Sequence, residues 1–150
     1  MKPIVKFTDQ KYIKRIKSRD KYKAIAELAH VFSDSNICSN IDELIRALHE
    51  REEIMSTGIG FGIAIPHAKI KSVNEITFAI GISKHGIDFD SIDKKPVHLL
   101  VLVAAGERQH KDYLKLLSNI MAKLKNQRIK QRIINSNSNK EIINILSEED

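Results

Sequence analysis

The apolar run from Val97 to Ala104 constrains the fold of this chain more than any other segment. It lies between Pro96 and Gly106, and every residue except His98 is apolar, so the alternation of a half-exposed strand is missing. A strand that is apolar on both sides is typical of a sheet covered on both faces. Helices are therefore expected on either side of the sheet, which predicts the α/β class.

Apolar residues at helical spacing occur in five further parts of the chain. They predict helices over residues 20–32, 41–48, 112–125, 129–134 and 142–146. Two more short runs, residues 62–66 and 75–83, are rich in β-branched and apolar residues and predict strands. No internal repeat and no linker is evident, so residues 1–150 are expected to form one domain.

Positive charge is concentrated at the start of the sequence. Residues 1–23 hold nine Lys and Arg residues against two Asp residues, a net charge of +7, while the whole chain carries +6. Residues 1–10 are expected to form a loosely ordered basic arm, and a solvated surface is the favoured interpretation. Too few aromatic residues accompany these charges to indicate a nucleic-acid partner.

Cysteine content and hydropathy limit where the protein is expected to work. The single cysteine, Cys38, excludes an internal disulfide. No stretch of about 18 apolar residues is present to insert in a membrane, and the first residues lack the apolar core of a signal peptide. We therefore expect a cytoplasmic protein.

Three of the six glycines stand directly before a histidine that follows a proline, in the segment Arg51 to His67. Glycines allow close approach to backbone N–H groups, and Pro66 fixes its φ angle just before His67. A neutral imidazole is a nucleophile near neutral pH without a metal or a strong base. Covalent chemistry on His67 is the hypothesis that follows.

Other phosphate and metal chemistries fit the sequence less well. The pattern Gly-x-Gly-x-Gly is neither the dinucleotide-binding pattern nor a P-loop, and Pro66 ends the apolar run that follows it. The six histidines show no ligand spacing such as His-x-x-x-His. We expect no metal and no cofactor.

Three short stretches resemble the signature of a known family: Arg51-Glu52, Ser56-Thr57-Gly58-Ile59-Gly60 and Gly62-Ile63-Ala64-Ile65-Pro66-His67. That family comprises the enzyme IIA domains of the phosphoenolpyruvate-dependent sugar phosphotransferase system, fructose/mannitol class, including its nitrogen-regulatory paralogues. The likeness extends over the chain from about residue 11. It implies a mixed sheet of about five strands between helices. It also implies that the histidine at the position of His67 takes a phosphoryl group from the phosphocarrier HPr and passes it to a cysteine on an enzyme IIB.

Phosphoryl transfer assigns expected roles to the neighbouring residues. Arg51 is the expected cation for the phosphate oxygens, because a guanidinium can bind two of them at once. Ser56, Thr57, Gly58 and Gly60 are the candidate phosphate-binding residues, although Ser and Thr beside glycine often bind turn backbone instead. An apolar docking face is expected around Ile59, Phe61 and Ile63.

A second histidine is implied by the resemblance, near the start of the helix that follows the third strand. In this sequence Tyr113 stands directly before the Leu114-Lys-Leu-Leu run, and His110 lies one helical turn earlier. His110 is the preferred candidate, with Tyr113 as the alternative. His98, within the apolar strand, is expected to be packed and hydrogen-bonded rather than reactive.

Two functions follow from the resemblance. The first is a phosphoryl carrier in carbohydrate uptake that receives its phosphoryl group from HPr and donates it to a sugar-specific enzyme IIB. The second is a regulatory paralogue in which the phosphorylation of His67 controls binding to target proteins. The sequence does not identify the sugar.

Overall fold

A computed structural model of the protein describes residues 3–148, which form five α-helices and six strands. The helices are α1 (Lys21–Ala29), α2 (Ile41–Ile54), α3 (His110–Leu124), α4 (Gln127–Ile134) and α5 (Asn139–Ser147). The strands are β1 (Ile13–Arg15), β2 (Gly58–Gly60), β3 (Ile63–Ala64), β4 (His67–Lys69), β5 (Thr77–Ile87) and β6 (Val97–Ala105). Within the described residues, none of the helices combines the length and the apolar character needed to cross a membrane.

The strands form one mixed sheet in the order β1-β5-β6-β3-β2, and β4 also pairs with β6. Strand β6 is antiparallel to β5 and parallel to both β3 and β4. Strands β3 and β4 pair with β6 in the same register, Ile63 with Leu99 and His67 with Val103. The residue of interest, His67, therefore lies towards the carboxyl end of the central strand β6.

Strand β6 is covered on both faces, as its apolar sequence predicts. Leu100 and Leu102 pack in a core with residues of α1 and α2. Leu99 and Val101 pack in a second core with residues of α3, α4 and α5. The predicted α/β class, with a mixed sheet between helices, is confirmed, and the sheet has six strands where about five were expected.

The first residues of the chain differ from the loosely ordered arm that was expected. Ile4–Phe7 forms a 3₁₀ turn, and Ile4 is buried in the core. The hydroxyl of Thr8 donates to the Phe78 carbonyl at 2.7 Å, and that of Thr77 donates to the Phe7 carbonyl at 2.8 Å. These contacts attach residues 4–8 to the sheet, while residues 1 and 2 of the predicted arm lie outside the described residues.

Candidate functional site

His67 is the first residue of β4, and the strand pairing fixes its position. Its Cα atom is paired with that of Val103, and the Val103 N–H donates to the Pro66 carbonyl at 2.9 Å. The side chain is half-buried. Since the backbone on both sides of the histidine is held by β6, the imidazole is presented from a rigid strand.

One hydrogen bond fixes the tautomer of His67. Its Nδ1 atom lies 2.7 Å from the carbonyl oxygen of Ile65. A carbonyl oxygen can only accept, so Nδ1 carries the proton and donates it. In the neutral ring Nε2 therefore holds a lone pair, which makes it the nucleophilic atom.

Burial lowers the pKa of His67 below its ordinary value, because the charged ring is poorly solvated. The positive charge of Arg51 lowers the pKa further, whereas the Ile65 hydrogen bond and the charge of Glu52 raise it. The net direction is downward. His67 is thus held in the neutral form, with its Nε2 lone pair free, at neutral pH.

Tyr113 packs against His67. The two ring centroids are 6.0 Å apart, with the ring planes tilted by 55°. Tyr113 lies one turn into α3 and is buried. Burial raises the pKa of Tyr113 to about 12, so its phenol keeps its proton at neutral pH and can act as a hydrogen-bond donor.

Arg51 is the positively charged member of a cluster that it forms with His67 and Tyr113. It lies in the last turn of α2, and its Nη1 donates to the carbonyl of Met55 at 2.6 Å. Its charge lowers the pKa of both His67 and Tyr113. The structure therefore brings Arg51, His67 and Tyr113 together at one end of the sheet, from α2, β4 and α3.

The hydroxyl groups of Ser56 and Thr57 have protein acceptors. Ser56 donates to the Phe89 carbonyl, and Thr57 Oγ1 donates to Glu52 Oε1 at 2.5 Å. The N–H of Thr57 also donates to Glu52, and that of Gly58 donates to Ser56 Oγ. Phosphate binding by these residues stays a prediction, and in this structure both hydroxyl protons are directed into the protein.

Gly58 and Gly60 belong to the β2–β3 hairpin, which leads away from His67. Gly58 pairs with Ala64, and Gly60 pairs with Ile63, four residues before His67. Four extended residues span about 13 Å. Gly60 has a φ of 94°, and a Cβ added to it would lie 3.4 Å from the Asp93 carboxylate. Gly58 is thus the nearer of the two to the histidine, and Gly60 lies beside a negative charge.

His110 is exposed at the first position of α3, and its Nδ1 lies 2.8 Å from Lys69 Nζ. An ammonium can only donate, so Nδ1 accepts this bond. His110 therefore contacts the last residue of β4, whereas Tyr113 contacts the first. The catalytic role of His110 stays a prediction. His98 donates from Nδ1 to the Ser83 carbonyl at 2.8 Å, so it is hydrogen-bonded as expected.

One of the residues predicted to form an apolar docking face is not exposed. Ile63 is fully buried, so its assignment to an exposed face is wrong, because alternate residues of β3 point into the two cores. Three exposed apolar side chains adjoin the cluster in sequence instead: Ile54 and Met55, which follow Arg51, and Leu114, which follows Tyr113. Phe61 is also exposed, at the tip of the hairpin.

Sequence reasoning assigned no role to Glu52, which lies close to this cluster. Its side chain has no exposed surface and accepts hydrogen bonds from Thr57. The signal was present in α2, where Glu52 continues the buried stripe of Leu44 and Leu48 at a spacing of four residues. An acidic residue at such a position indicates a paired, structured carboxylate.

Comparison with known proteins places these residues in a sequence family. Residues 6–149 match the family described as the phosphoenolpyruvate-dependent sugar phosphotransferase system, EIIA 2. The chain is 36% identical over 135 residues to the fructose-specific EIIABC component of Bacillus subtilis. That match covers 90% of this chain and spans 21% of the relative, so the chain corresponds to about a fifth of that protein.

Two further relatives are of similar size to this chain. The fructose-specific EIIA component of Haloferax volcanii is 34% identical over 83% of this chain and 81% of its own length. The nitrogen regulatory protein of Bradyrhizobium diazoefficiens is 31% identical over 88% of this chain and 86% of its own length. Relatives in this family thus include both sugar-specific and regulatory proteins.

Solved structures share the fold. The nitrogen regulatory protein IIA-Ntr of Neisseria meningitidis superposes with a TM-score of 0.88 at 26% identity, covering 95% of this chain and 98% of that one. The mannitol enzyme IIA of Escherichia coli, in its complex with phosphorylated enzyme IIB, gives a TM-score of 0.77 at 18% identity. The latter match covers 91% of this chain and 94% of that one, and it concerns the fold alone.

Proposed function

The chain belongs to the EIIA 2 family of the phosphoenolpyruvate-dependent sugar phosphotransferase system, and from that premise we propose that it is a phosphoryl carrier acting through His67. In this proposal phosphorylated HPr is the donor and a sugar-specific enzyme IIB is the acceptor. The carrier works in the cytoplasm. Its acceptor atom is Nε2 of His67.

The observation that carries this proposal is the hydrogen bond from His67 Nδ1 to the Ile65 carbonyl. It directs the lone pair to Nε2, and burial keeps the ring neutral by lowering its pKa. A nucleophile near neutral pH needs both properties. The geometry therefore supplies an acceptor nitrogen without a separate general base.

The transfer step is a substitution at phosphorus between groups on the two proteins. The Nε2 lone pair of His67 forms a bond to phosphorus as the phosphorus–nitrogen bond of the donor phosphohistidine breaks, and the donor nitrogen keeps that electron pair. His67 retains its Nδ1 proton, which the Ile65 carbonyl accepts before and after the step. Transfer to the enzyme IIB repeats the substitution with a cysteine sulfur as the attacking atom.

Arg51 and Tyr113 supply stabilisation during transfer. Charge on the three equatorial oxygens of the phosphoryl group is offset by the Arg51 guanidinium, which carries a permanent positive charge. The phenol of Tyr113 donates a hydrogen bond to the same group, because its raised pKa keeps it protonated. Tyr113 then takes the second position beside the histidine, and His110 is the competing candidate.

The partners meet the carrier at the apolar side chains around the cluster. Ile54, Met55 and Leu114 are 81%, 68% and 53% exposed, and each follows closely on Arg51 or Tyr113 in the sequence. Donor and acceptor must use the same nitrogen in turn, so each contact is short-lived. The mannitol enzyme IIA structure in complex with phosphorylated enzyme IIB gives a precedent for the second partner.

A regulatory role is the second candidate. It is favoured by the likeness to the nitrogen regulatory protein of Bradyrhizobium diazoefficiens, which extends over most of both chains. In this role the added phosphoryl charge, near −2, changes the electrostatics of the face around His67 and so changes which protein binds there. The chemistry on His67 is the same in both roles.

Transfer of the label separates the two roles. The phosphorylated protein is mixed with purified fructose- and mannitol-type enzyme IIB domains from the same cell, with a cysteine-to-serine variant of each as control. Rapid movement of the phosphoryl group to the cysteine of one domain supports transport. Retention of the group on the carrier with every enzyme IIB of that cell rejects transport and leaves regulation.

A further inference from the structure

We propose that Glu52 is a positioning residue of this site. Its buried carboxylate fixes the segment that joins α2 to β2, and so holds the Arg51 guanidinium at the position from which it acts on His67. This inference rests on the phosphoryl-carrier function proposed for His67. Glu52 acts through Arg51 and does not contact the reacting atoms.

The carboxylate of Glu52 has no exposed surface and three hydrogen-bond donors, which belong to two residues. Oε2 accepts the N–H of Thr57 at 2.9 Å, and Oε1 accepts its hydroxyl at 2.5 Å. Lys21 Nζ lies 3.3 Å from Oε2 and forms an ion pair in which 16% of the lysine side chain is exposed. A buried carboxylate needs such partners, because without them its burial is strongly unfavourable.

The two hydrogen bonds from Thr57 to Glu52 hold the residues that follow the end of α2. Helix α2 ends at Ile54, and Met55 is extended, with φ −163° and ψ 136°. Glu52 lies before that change of direction and Thr57 after it, so the two bonds between them close the turn. The Met55 carbonyl lies inside this closed segment, and it accepts the Arg51 hydrogen bond at 2.6 Å.

A second set of hydrogen bonds, centred on the Phe89 carbonyl, also holds residues 55–58. The Phe89 carbonyl accepts hydrogen bonds from Lys21 Nζ, at 3.3 Å, and from the hydroxyl of Ser56. Ser56 Oγ in turn accepts the Gly58 N–H at 3.0 Å. Lys21 thus binds both the Glu52 carboxylate and the Phe89 carbonyl, which also accepts the Ser56 hydroxyl. Each residue from Met55 to Gly58 is therefore held by a hydrogen bond of its backbone or its side chain.

An apolar residue at position 52 would complete the buried stripe of Leu44 and Leu48 without a buried charge. Replacing a buried ion pair with apolar groups is often neutral or stabilising. Burial at position 52 therefore does not explain why the side chain there is a carboxylate. Its two bonds to Thr57 set the direction of the chain immediately after Arg51, which an apolar side chain cannot do.

Glu52→Gln tests the assignment, because it preserves size but removes one charge and one acceptor oxygen. Two observables are measured: the rate of phosphorylation by HPr, and the order of the Arg51 side chain from ¹⁵N relaxation of its Nε–H group. We expect the rate to fall at least tenfold and the Arg51 signal to become mobile. Glu53→Gln, the same change at the exposed neighbouring residue, is the matched control and should alter neither.

A double-mutant cycle shows whether Glu52 acts through Arg51. In the Arg51→Ala background, Glu52→Gln should lower the rate less than twofold further, because the guanidinium it positions is gone. An equal loss in both backgrounds, or an Arg51 side chain that stays as ordered in Glu52→Gln as in the wild type, would overturn the assignment.

Two outcomes call for a second measurement. Where Glu52→Gln does not fold, Thr57→Val removes only the hydroxyl bond, and it should reduce the order of Arg51 in the same direction; an unchanged order would again reject the inference. Where wild-type protein is not phosphorylated on His67, the carrier function fails. The Arg51 order measurement then still decides what Glu52 does.

Discussion

The rings of Tyr113 and His67 lie 6.0 Å apart between centroids, whereas His110, one turn earlier on the same helix, contacts Lys69 instead. Tyr113 is buried against the imidazole, and burial raises its pKa to about 12. A protonated phenol on a ring packed against the imidazole can donate to a phosphoryl oxygen. The structure therefore favours Tyr113 over His110 as the second side chain at the site.

Tyr113→Phe should slow phosphorylation of His67 by about tenfold, because it removes one hydrogen bond and keeps the ring packing. His110→Ala should change the rate by less than threefold, and His98→Ala serves as a control at a histidine bound to Ser83. The rates are measured with phosphorylated HPr in rapid-mixing experiments. A silent Tyr113→Phe together with a damaging His110→Ala would return the second position to His110.

Arg51→Ala should slow the transfer by about a hundredfold, the loss typical of removing one group that stabilises transition-state charge. Arg51 is half-buried and lies in the last turn of a helix, so the melting temperature should stay within a few degrees of the wild type. Calorimetry checks the second part. A large fall in melting temperature with an unchanged rate would show that Arg51 is structural.

The pH dependence of His67 follows from the direction of its pKa shift. Burial lowers the pKa, so the NMR titration midpoint of its ring should lie below the ordinary value of 6.5. Arg51→Ala should raise that midpoint, since it removes the positive charge that lowers it. An unchanged or lower midpoint in Arg51→Ala would contradict this electrostatic description.

The lowered pKa of His67 also makes the free energy of unfolding depend on pH. Because the folded pKa of His67 lies below the unfolded one, the folded state binds fewer protons between them. The resulting stabilisation is fully present above the unfolded pKa, and it is lost as the pH falls through the folded pKa. Urea unfolding between pH 7.5 and 5 should therefore show a weaker pH dependence in His67→Gln than in the wild type.

Docking of HPr should depend on the apolar side chains beside the cluster. Met55→Ser and Leu114→Ser should each raise the HPr concentration needed for half-maximal rate, with little change in the maximal rate. Phe61→Asn is the comparison, because Phe61 has a φ of 61°, which Asn tolerates, and lies at the hairpin tip. An effect confined to Phe61→Asn would move the docking face to the hairpin.

The sequence predicted the large features of the fold because they depend on local patterns. The apolar β6 implied a covered sheet, and five stretches of helical spacing correspond to the five helices. Strands β1, β2 and β4 were not predicted, since three residues are too few for an alternating pattern. Their pairing is decided by distant residues, as in the register of His67 with Val103.

The site could be predicted only in part, for a similar reason. The glycine and proline pattern identified His67, whereas the partners of Ser56 and Thr57 depend on Phe89 and on the burial of Glu52. The choice between His110 and Tyr113 depends on where α3 begins. Helix α3 starts at His110, which leaves that residue exposed and directs Tyr113 to the sheet.

Locating the phosphoryl group tests the proposed chemistry of His67 most directly. The protein is incubated with phosphoenolpyruvate, enzyme I and HPr, and the product is examined by mass spectrometry and by ¹⁵N NMR of the histidine rings. We predict one acid-labile phosphoryl group, on Nε2 of His67, with the Nδ1 proton retained and no labelling of His67→Ala. Stoichiometric labelling of His67→Ala, or no labelling of the wild type, would contradict the assignment of His67 as the phosphoryl acceptor.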